Sequence, residues 1–429
     1  MSQQQKHTKV VKKTSKGTPS GKRIVKRKVR RIRKPVLYGF IAIVVLIIAI
    51  FTVPKTIENS KLKDLGYDKA TITEIRKQKL TGTLIKNKYY SSNLADAINS
   101  QSLNKDYIKL YVVSDSCDQR EFVLYDRLID KGYTEEQALK LFDNLTFFEL
   151  TPLLVFDFQS DVQPYIEDAV SHSATNSSTK FELTNTYKTP YVTTKPVINQ
   201  GSYDMLVNKT YYLDGSFVPP QLQDLSIQYA STGLQLDAPA AEGLKQLCEG
   251  ARAMGLRIFA SSSYRSYENQ QALYDRYVNK DGQEAADTYS ARAGFSEHQT
   301  GLTVDMSALD ENGKAIAKFG ESDEFVWTSQ NCQKFGWILR FPEGKETITG
   351  YQYEPWHYRY LGVDLAQKVV DSKLTYDEYY ELYMAPWNNE ENNNALKNPS
   401  ASTTTPEDES SETSEPTTEP SAEATEKTE

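Results

Sequence analysis

The longest apolar stretch of the chain runs from Val36 to Val53, reads VLYGFIAIVVLIIAIFTV and contains no charged residue. At a rise of about 1.5 Å per residue, a helix of this length is just long enough to cross a bilayer. The basic run from Lys22 to Lys34 precedes it, and positively charged flanks stay in the cytoplasm. The pattern predicts a disordered cytoplasmic arm at 1–35, a transmembrane helix at 36–53 and an extracellular remainder.

A cleaved signal peptide is the alternative interpretation of this stretch. No small-residue cleavage pattern follows it, because the chain continues with Pro54, Lys55, Thr56 and Ile57. The sequence therefore favours an uncleaved, single-pass anchor in the cell membrane. Nucleic acid is an alternative partner for the basic arm, but anionic membrane lipid is the simpler partner beside a span.

Residues 57–165 mix helical and strand-like stretches, which predicts a small mixed α/β region outside the membrane. Two of its stretches begin alike, LGYD at 65–68 and KGYT at 131–134, and each precedes a helical pattern. A duplication with a 66-residue period is one explanation. Two ordinary helix starts would look the same, so both explanations stay open.

Residues 166–201 have little apolar periodicity and many Ser and Thr, which predicts a linker. A second domain is predicted at 202–387, where helical and strand-like stretches do not alternate regularly and so indicate an α+β fold. Its predicted helices are 242–254 and 267–278, and its predicted strands are 256–260, 302–306, 337–341 and 347–351. From 388 to 429 the chain is too polar to form a core and is predicted to be disordered.

The net charge of −7 hides a strong asymmetry. Residues 1–34 contain fourteen Lys and Arg and no carboxylate, whereas residues 400–429 contain nine acids and one Lys. Without these two segments, residues 35–399 have a net charge of −13. An acidic body argues against nucleic acid as a partner of the folded part, because phosphate binding needs a basic face.

The three cysteines are Cys117, Cys248 and Cys332, and the predicted topology would expose them to an oxidising environment. Cys248 and Cys332 both lie in the second domain, so they are the favoured pair. The other two pairings, and three free buried thiols, remain open.

Two of the four histidines lie in segments with unusual neighbours. The first segment is SEHQTGLTVD, residues 296–305, in which Asp305 ends an alternating run seven residues after His298. A carboxylate on a short strand beside a His from the preceding loop is half of a plausible zinc site.

The second segment is EPWHYR, residues 354–359, in which Glu354 comes three residues before His357. Pro355 disfavours helix at the preceding residue, so a turn or bulge must bring both groups inward. Two His and one carboxylate around zinc leave the fourth position for water, and a Glu that is not a ligand can take the water's proton. Singly, each His is better explained as a structural residue.

The two segments resemble the VanY-like D-alanyl-D-alanine carboxypeptidases, a family of zinc peptidases with the motifs S-x-H-x-x-G-x-x-x-D and E-x-W-H-x-R. The matching residues are Ser296, His298, Gly301 and Asp305 in the first motif, and Glu354, Trp356, His357 and Arg359 in the second. A third matching element, SYRS at 263–266 with Gln270 five residues after Arg265, lies where the family places its substrate-binding Arg. The resemblance covers about 202–378.

The resemblance implies a fold of the Hedgehog and D,D-peptidase type, with a small antiparallel sheet flanked by helices and one Zn²⁺ ion. The implied zinc ligands are His298, Asp305 and His357, the implied general base is Glu354, and the implied substrate-binding residues are Arg265, Gln270 and Ser296. Arg265 also counts as catalytic, because its permanent charge suits a developing oxyanion. Trp356 and Arg359 are expected to pack or to support the ligands.

The implied function is hydrolysis of the C-terminal D-alanine of peptidoglycan stem peptides, by Glu-assisted attack of zinc-bound water. A non-catalytic wall-binding or signalling module is the alternative, and Glu354 argues against it because such a module needs no base. A third hypothesis makes 57–165 a wall-binding or partner-binding module. The motifs do not distinguish D,D from L,D specificity, or wall maturation from glycopeptide resistance, and they leave the oligomeric state open.

Overall fold

The computed structural model of the protein describes residues 34–386, apart from 115, 174–182, 184–186 and 311. The predicted disordered arm up to residue 33, part of the predicted linker and the predicted disordered tail lie outside the described residues. The described residues fall into two compact units, which divide between Lys88 and Tyr89.

The first unit consists of three helices. They are α1 (Lys34–Leu65), α2 (Lys69–Lys77) and α3 (Thr81–Asn87). The part of α1 from Tyr38 on is long and apolar enough to span a membrane, and its apolar window is not buried in the protein. α1 has 32 residues and therefore continues past the predicted span. Its far end packs against α2, where Arg76 bonds Glu58 at 2.9 Å.

The second unit begins with a helical segment. Its helices are α4 (Ser92–Ser100), α5 (Ile108–Val113), α6 (Gln119–Asp130), α7 (Glu135–Asn144), α8 (Phe147–Leu150), α9 (Pro152–Val155) and α10 (Gln163–Ser173). The described residues between 57 and 165 contain no strand, so the predicted mixed α/β character of this region is wrong. α5 is helical although Ile108, Val112 and Val113 are β-branched, because burial of residues such as Leu110 and Tyr111 overrides a weak β-propensity.

The two Gly-Tyr sequences form the same local turn. Gly66 and Gly132 end their helices with φ of 117° and 110°, a backbone conformation that favours glycine. Tyr67 and Tyr133, which follow, are both buried. This likeness concerns the turns alone, and the 66-residue duplication stays a prediction.

The rest of the second unit contains all the strands of the described chain. The strands are β1 (Lys195–Pro196), β2 (Tyr211–Tyr212), β3 (Leu222–Asp224), β4 (Gln235–Asp237), β5 (Ile258–Ser262), β6 (Thr303–Ala308), β7 (Trp337–Leu339) and β8 (His357–Tyr360). The helices are α11 (Ala238–Ala253), α12 (Tyr267–Asp281), α13 (Gln283–Tyr289), α14 (Asp323–Asn331), α15 (Glu346–Thr349), α16 (Val363–Ser372) and α17 (Tyr376–Tyr383). Short 3₁₀ turns lie at Lys105–Tyr107, Glu297–Thr300, Phe319–Glu321 and Cys332–Phe335.

The largest sheet has four strands in the order β5-β6-β8-β7, and each neighbouring pair is antiparallel. The mixed helix-and-sheet character predicted for this part of the chain is confirmed. The helices predicted at 242–254 and 267–278 and the strands predicted at 256–260, 302–306 and 337–341 correspond to α11, α12, β5, β6 and β7.

Two expectations for this part of the chain are wrong. The strand predicted at 347–351 is instead the short helix α15, which ends at Gly350 with φ of 77°. The favoured disulfide does not form, because Cys117, Cys248 and Cys332 are all free and buried thiols. Three free buried thiols were one of the alternatives that the sequence left open.

Helix α17 connects the helical segment to the sheet-containing part. The carboxylate of Glu378 is fully buried and accepts hydrogen bonds from Thr375 and, at 2.8 Å, from the hydroxyl of Thr151 in the helical segment. Arg127 of α6 donates to the carbonyl of Leu382 at 3.0 Å. The predicted domain limits stay a prediction, but these contacts tie residues on both sides of the predicted linker together.

Glu378→Ala should lower the free energy of unfolding by about 2–3 kcal/mol, because two buried hydroxyls and a buried N–H lose the acceptor that Glu378 provides. The control is Gln137→Ala, which removes the equivalent residue of the more exposed capping box of α7 and should cost about 1 kcal/mol or less. Urea unfolding in detergent, followed by fluorescence of the four tryptophans, measures both. Equal losses would contradict the role assigned to Glu378.

Candidate metal and catalytic site

A single turn of 3₁₀ helix positions His298. Ser296 caps this turn, since its hydroxyl oxygen accepts a hydrogen bond from the N–H of His298 at 3.4 Å. The turn ends at Gly301 with φ of 67°, where an added Cβ would lie 2.8 Å from Pro219. Only glycine fits this close, left-handed position, which explains the glycine of the first motif. From here the chain enters β6.

Asp305 of β6 lies directly opposite His357 of β8 in the antiparallel register. Opposite residues of such a pair have their side chains on the same face of the sheet, about 5 Å apart at Cβ. Glu354 reaches this face through the turn at Pro355, where the N–H of His357 donates to the Glu354 carbonyl at 3.1 Å. The turn that the sequence required before His357 is confirmed.

The side chains of His298, Asp305 and His357 form a group whose ligand-type atoms all lie within 4.8 Å of one another. Nε2 of His298 is 3.5 Å from Oδ2 of Asp305, and Nδ1 of His357 is 3.3 Å from Oδ1. Two ligands about 2.0–2.1 Å from one tetrahedral ion are about 3.3–3.4 Å apart, so these separations suit a shared zinc ion. Oδ1 of Asp305 is buried and has no hydrogen-bond partner among the described residues.

Hydrogen bonds orient the two imidazole rings. Nδ1 of His298 lies 2.7 Å from the carbonyl oxygen of Ser263, so it carries the proton and leaves Nε2 as the ligand atom. The His357 ring is turned the other way, with Nδ1 towards Asp305 and Nε2 3.5 Å from the carboxylate of Glu297. The donor set of this site therefore fits zinc.

The electrostatics of the site also favour a cation. Burial raises the pKa of Glu354 to about 7, with His357 opposing the shift and Asp305 adding to it. Burial lowers the pKa of His357, but Asp305 and Glu297 outweigh this effect and raise it to about 9. The carboxylates around His357 thus stabilise a positive charge at this place. A metal ion bound there would be stabilised in the same way.

Arg265 supplies a positive charge to the same cavity. Its guanidinium donates to Gln270 at 2.8 Å and to the hydroxyl of Ser262 at 3.1 Å. Gln270 is in turn fixed by the carbonyl of Ala291 at 2.6 Å. Among the described residues no carboxylate lies within ion-pair distance of Arg265, so its charge is available to an anionic ligand.

The structure brings all the site residues predicted from the sequence into one cavity of about 240 Å³. These residues are Arg265, Gln270, Ser296, His298, Asp305, Glu354 and His357. Phe341, Tyr351 and Trp356 add aromatic walls. Arg359 is fully buried and is not among the lining residues, as expected for a supporting residue.

Sequence reasoning missed Glu297, the residue immediately before His298. It is 4% exposed, and one of its oxygens accepts from both Arg340 at 2.9 Å and Arg359 at 3.0 Å. Burial would raise the pKa of Glu297, but the two arginines hold it well below its ordinary value. Its only sequence signal was its place inside the first motif, at a position that the motif leaves free.

The chain is similar to known carboxypeptidases. The VanY family, described as D-alanyl-D-alanine carboxypeptidase, matches residues 233–363. The putative carboxypeptidase YodJ of Bacillus subtilis is 37% identical over 180 residues, which cover 41% of this chain and 66% of the relative. The bifunctional D-Ala-D-Ala dipeptidase and D-Ala-D-Ala carboxypeptidase VanXYC of Enterococcus gallinarum is 31% identical over 184 residues, which cover 42% of this chain and 94% of the relative.

Among solved structures, the LdcB LD-carboxypeptidase is similar at 35% identity and a TM-score of 0.42, over 44% of this chain and 90% of that chain. The chain spans 51% to 66% of the length of three of its curated relatives.

His298→Ala should abolish stoichiometric zinc binding, because it removes one of three ligand atoms. Glu354→Ala should bind zinc in the same amount as the wild type, because Glu354 is assigned no ligand role. Zinc per protein, measured by elemental analysis after dialysis, checks both. Loss of zinc in the Glu354 variant would contradict the division of roles.

Proposed function

Since the chain belongs to the VanY family of D-alanyl-D-alanine carboxypeptidases, we propose that it is a zinc carboxypeptidase that removes the C-terminal D-alanine of peptidoglycan stem peptides. The observation that carries the proposal is the position of Glu354. Its carboxylate lies 3.4 Å from His357 and lines the same cavity as Arg265. A base beside a metal site, in one cavity with an available cation, suits hydrolysis of a peptide with a free carboxylate.

In this proposal, Arg265 binds the terminal carboxylate of the peptide, and Gln270 keeps the guanidinium in place. Ser296 lines the cavity and supplies a hydroxyl for the terminal residue. The buried polar contacts of Gln270 fix this end of the site before substrate arrives, which favours binding.

His298, Asp305 and His357 would hold the zinc ion. The chemistry that zinc supplies when bound is Lewis acidity, which polarises a carbonyl group and makes water more acidic. Glu354 accepts the proton of the attacking water and delivers it to the leaving amine of D-alanine. With a pKa raised towards neutrality, the Glu354 carboxyl is suited both to take and to return that proton.

A non-catalytic binding module with the same fold is the alternative. Such a module needs neither a carboxyl group with a raised pKa beside the metal ligands nor an unpaired Arg265 in the same cavity. The presence of both supports the enzyme.

We also propose that α1 anchors the protein in the cell membrane, with the catalytic part outside. Its apolar stretch is exposed in the described structure, and the basic residues before it favour a cytoplasmic N-terminus. Peptidoglycan lies outside the membrane, so this topology places the enzyme with its proposed substrate.

The purified protein should release D-alanine from a pentapeptide ending in D-Ala-D-Ala, from a tetrapeptide ending in a single D-Ala, or from both. Glu354→Gln should lower kcat by about 10²–10⁴-fold, the usual contribution of a general base. Enzymatic detection of free D-alanine measures the rate, and comparison of the two peptides decides between D,D and L,D specificity. Wild-type activity in Glu354→Gln would contradict the mechanism, and no release from either peptide would contradict the proposed substrate.

The pH dependence of kcat/KM should show an acidic limb that belongs to Glu354. Protonation removes the base, so activity falls as pH decreases through its pKa. The pKa is about 7 without metal against an ordinary 4.5, and a bound cation lowers it, so the limb should lie between these two values. A limb above pH 7, or activity that rises as the pH falls, would contradict Glu354 as the base.

A further inference from the structure

The carboxylate of Glu297 lies on the opposite side of the His357 ring from Asp305. Its Oε2 is 3.5 Å from Nε2 of His357, and both atoms are buried. Neither atom has a hydrogen-bond partner among the described residues. Buried polar atoms are almost always paired, so a small movement that closes this separation satisfies both atoms at once.

The contacts of Glu297 suit a supporting role at the wall of the cavity. Its other oxygen accepts hydrogen bonds from Arg340 and Arg359, and its side chain is 3% exposed. Two buried arginines donate hydrogen bonds to this oxygen and so fix the direction of the carboxylate. Glu297 is therefore a rigid acceptor for the ring nitrogen of His357 that faces away from the metal ligands.

Arg340 is itself fixed by α17. Its guanidinium donates to both oxygens of Asp377, at 2.5 and 3.1 Å, and all of these groups are buried. Asn208 donates to the same carboxylate at 2.7 Å. A continuous series of buried contacts thus runs from Asp377 through Arg340 and Glu297 to His357.

We propose that Glu297, held by Arg340 and Asp377, is a positioning residue that orients His357 for metal binding through Nδ1. This inference rests on the proposed zinc site and adds a requirement to it. A ring that rotated freely about its Cβ bond would present Nδ1 to the other ligands for only part of the time. An acceptor on Nε2 removes that freedom, and it also makes Nδ1 a better electron donor.

The test measures the zinc dissociation constant of the whole protein in detergent, by competition with a chromophoric chelator. Glu297→Gln keeps the size of the side chain but loses its charge, and it should weaken zinc binding about 10-fold to 100-fold. Asp377→Asn should also weaken zinc binding, but by a smaller factor, because Asp377 acts on Glu297 only through Arg340. At saturating zinc both variants should regain kcat, because the proposal assigns both residues to holding His357 rather than to the reacting peptide.

The matched control is Glu381→Gln, which changes another buried carboxylate of α17. Glu381 accepts a hydrogen bond from the hydroxyl of Tyr211 at 2.9 Å and is not part of the series of contacts described above from Asp377 to His357. The zinc affinity of the Glu381→Gln variant should equal that of the wild type. Circular dichroism of each zinc-free variant shows whether it folds.

Unchanged zinc affinity in a folded Glu297→Gln variant would overturn the proposal. If that variant does not fold, unchanged affinity in Asp377→Asn would overturn it equally. An equal loss in Glu381→Gln would also overturn it, because any buried charge of α17 would then have the same effect. Failure of the wild type to bind zinc would instead contradict the proposed function.

Discussion

The antiparallel pairing of β6 with β8 is the constraint on which the whole site depends. It places Asp305 opposite His357, and a slip of one residue would turn one of these side chains to the other face of the sheet. Gly301 before β6 and Pro355 before β8 limit how the two segments can enter the sheet. The register of the two strands therefore determines which side chains can meet in the site.

Charge is the second constraint, because the carboxylates of Glu297, Asp305 and Glu354 all lie within 3.5 Å of His357. Removing an ion from water costs several kcal/mol, and a buried ion pair stabilises a fold no more than apolar residues of similar volume. Arg340 offsets part of this cost for Glu297. The cluster is therefore better explained by what it binds than by what it adds to stability.

Sequence reasoning predicted the parts of the site that local motifs define, together with most elements of the sheet. It did not predict the role of Glu297, because the partners that give this residue its role, Arg340 and Asp377, are distant in sequence and meet only in the fold. It also predicted a strand at 347–351, because Thr347 and Ile348 are β-branched. In the structure both belong to α15, where Ile348 is buried and Gly350 ends the helix. Strands were wrongly predicted within residues 57–165 for the same reason.

The most direct test of the account is a crystal structure of the zinc-bound protein, with anomalous scattering recorded at the zinc edge. The account predicts one zinc ion bonded to Nε2 of His298, the carboxylate of Asp305 and Nδ1 of His357, at about 2.0–2.2 Å. Glu354 should lie close to the ion without bonding to it. A zinc ion bound through Nε2 of His357, or one that has Glu354 as a ligand, would contradict the account.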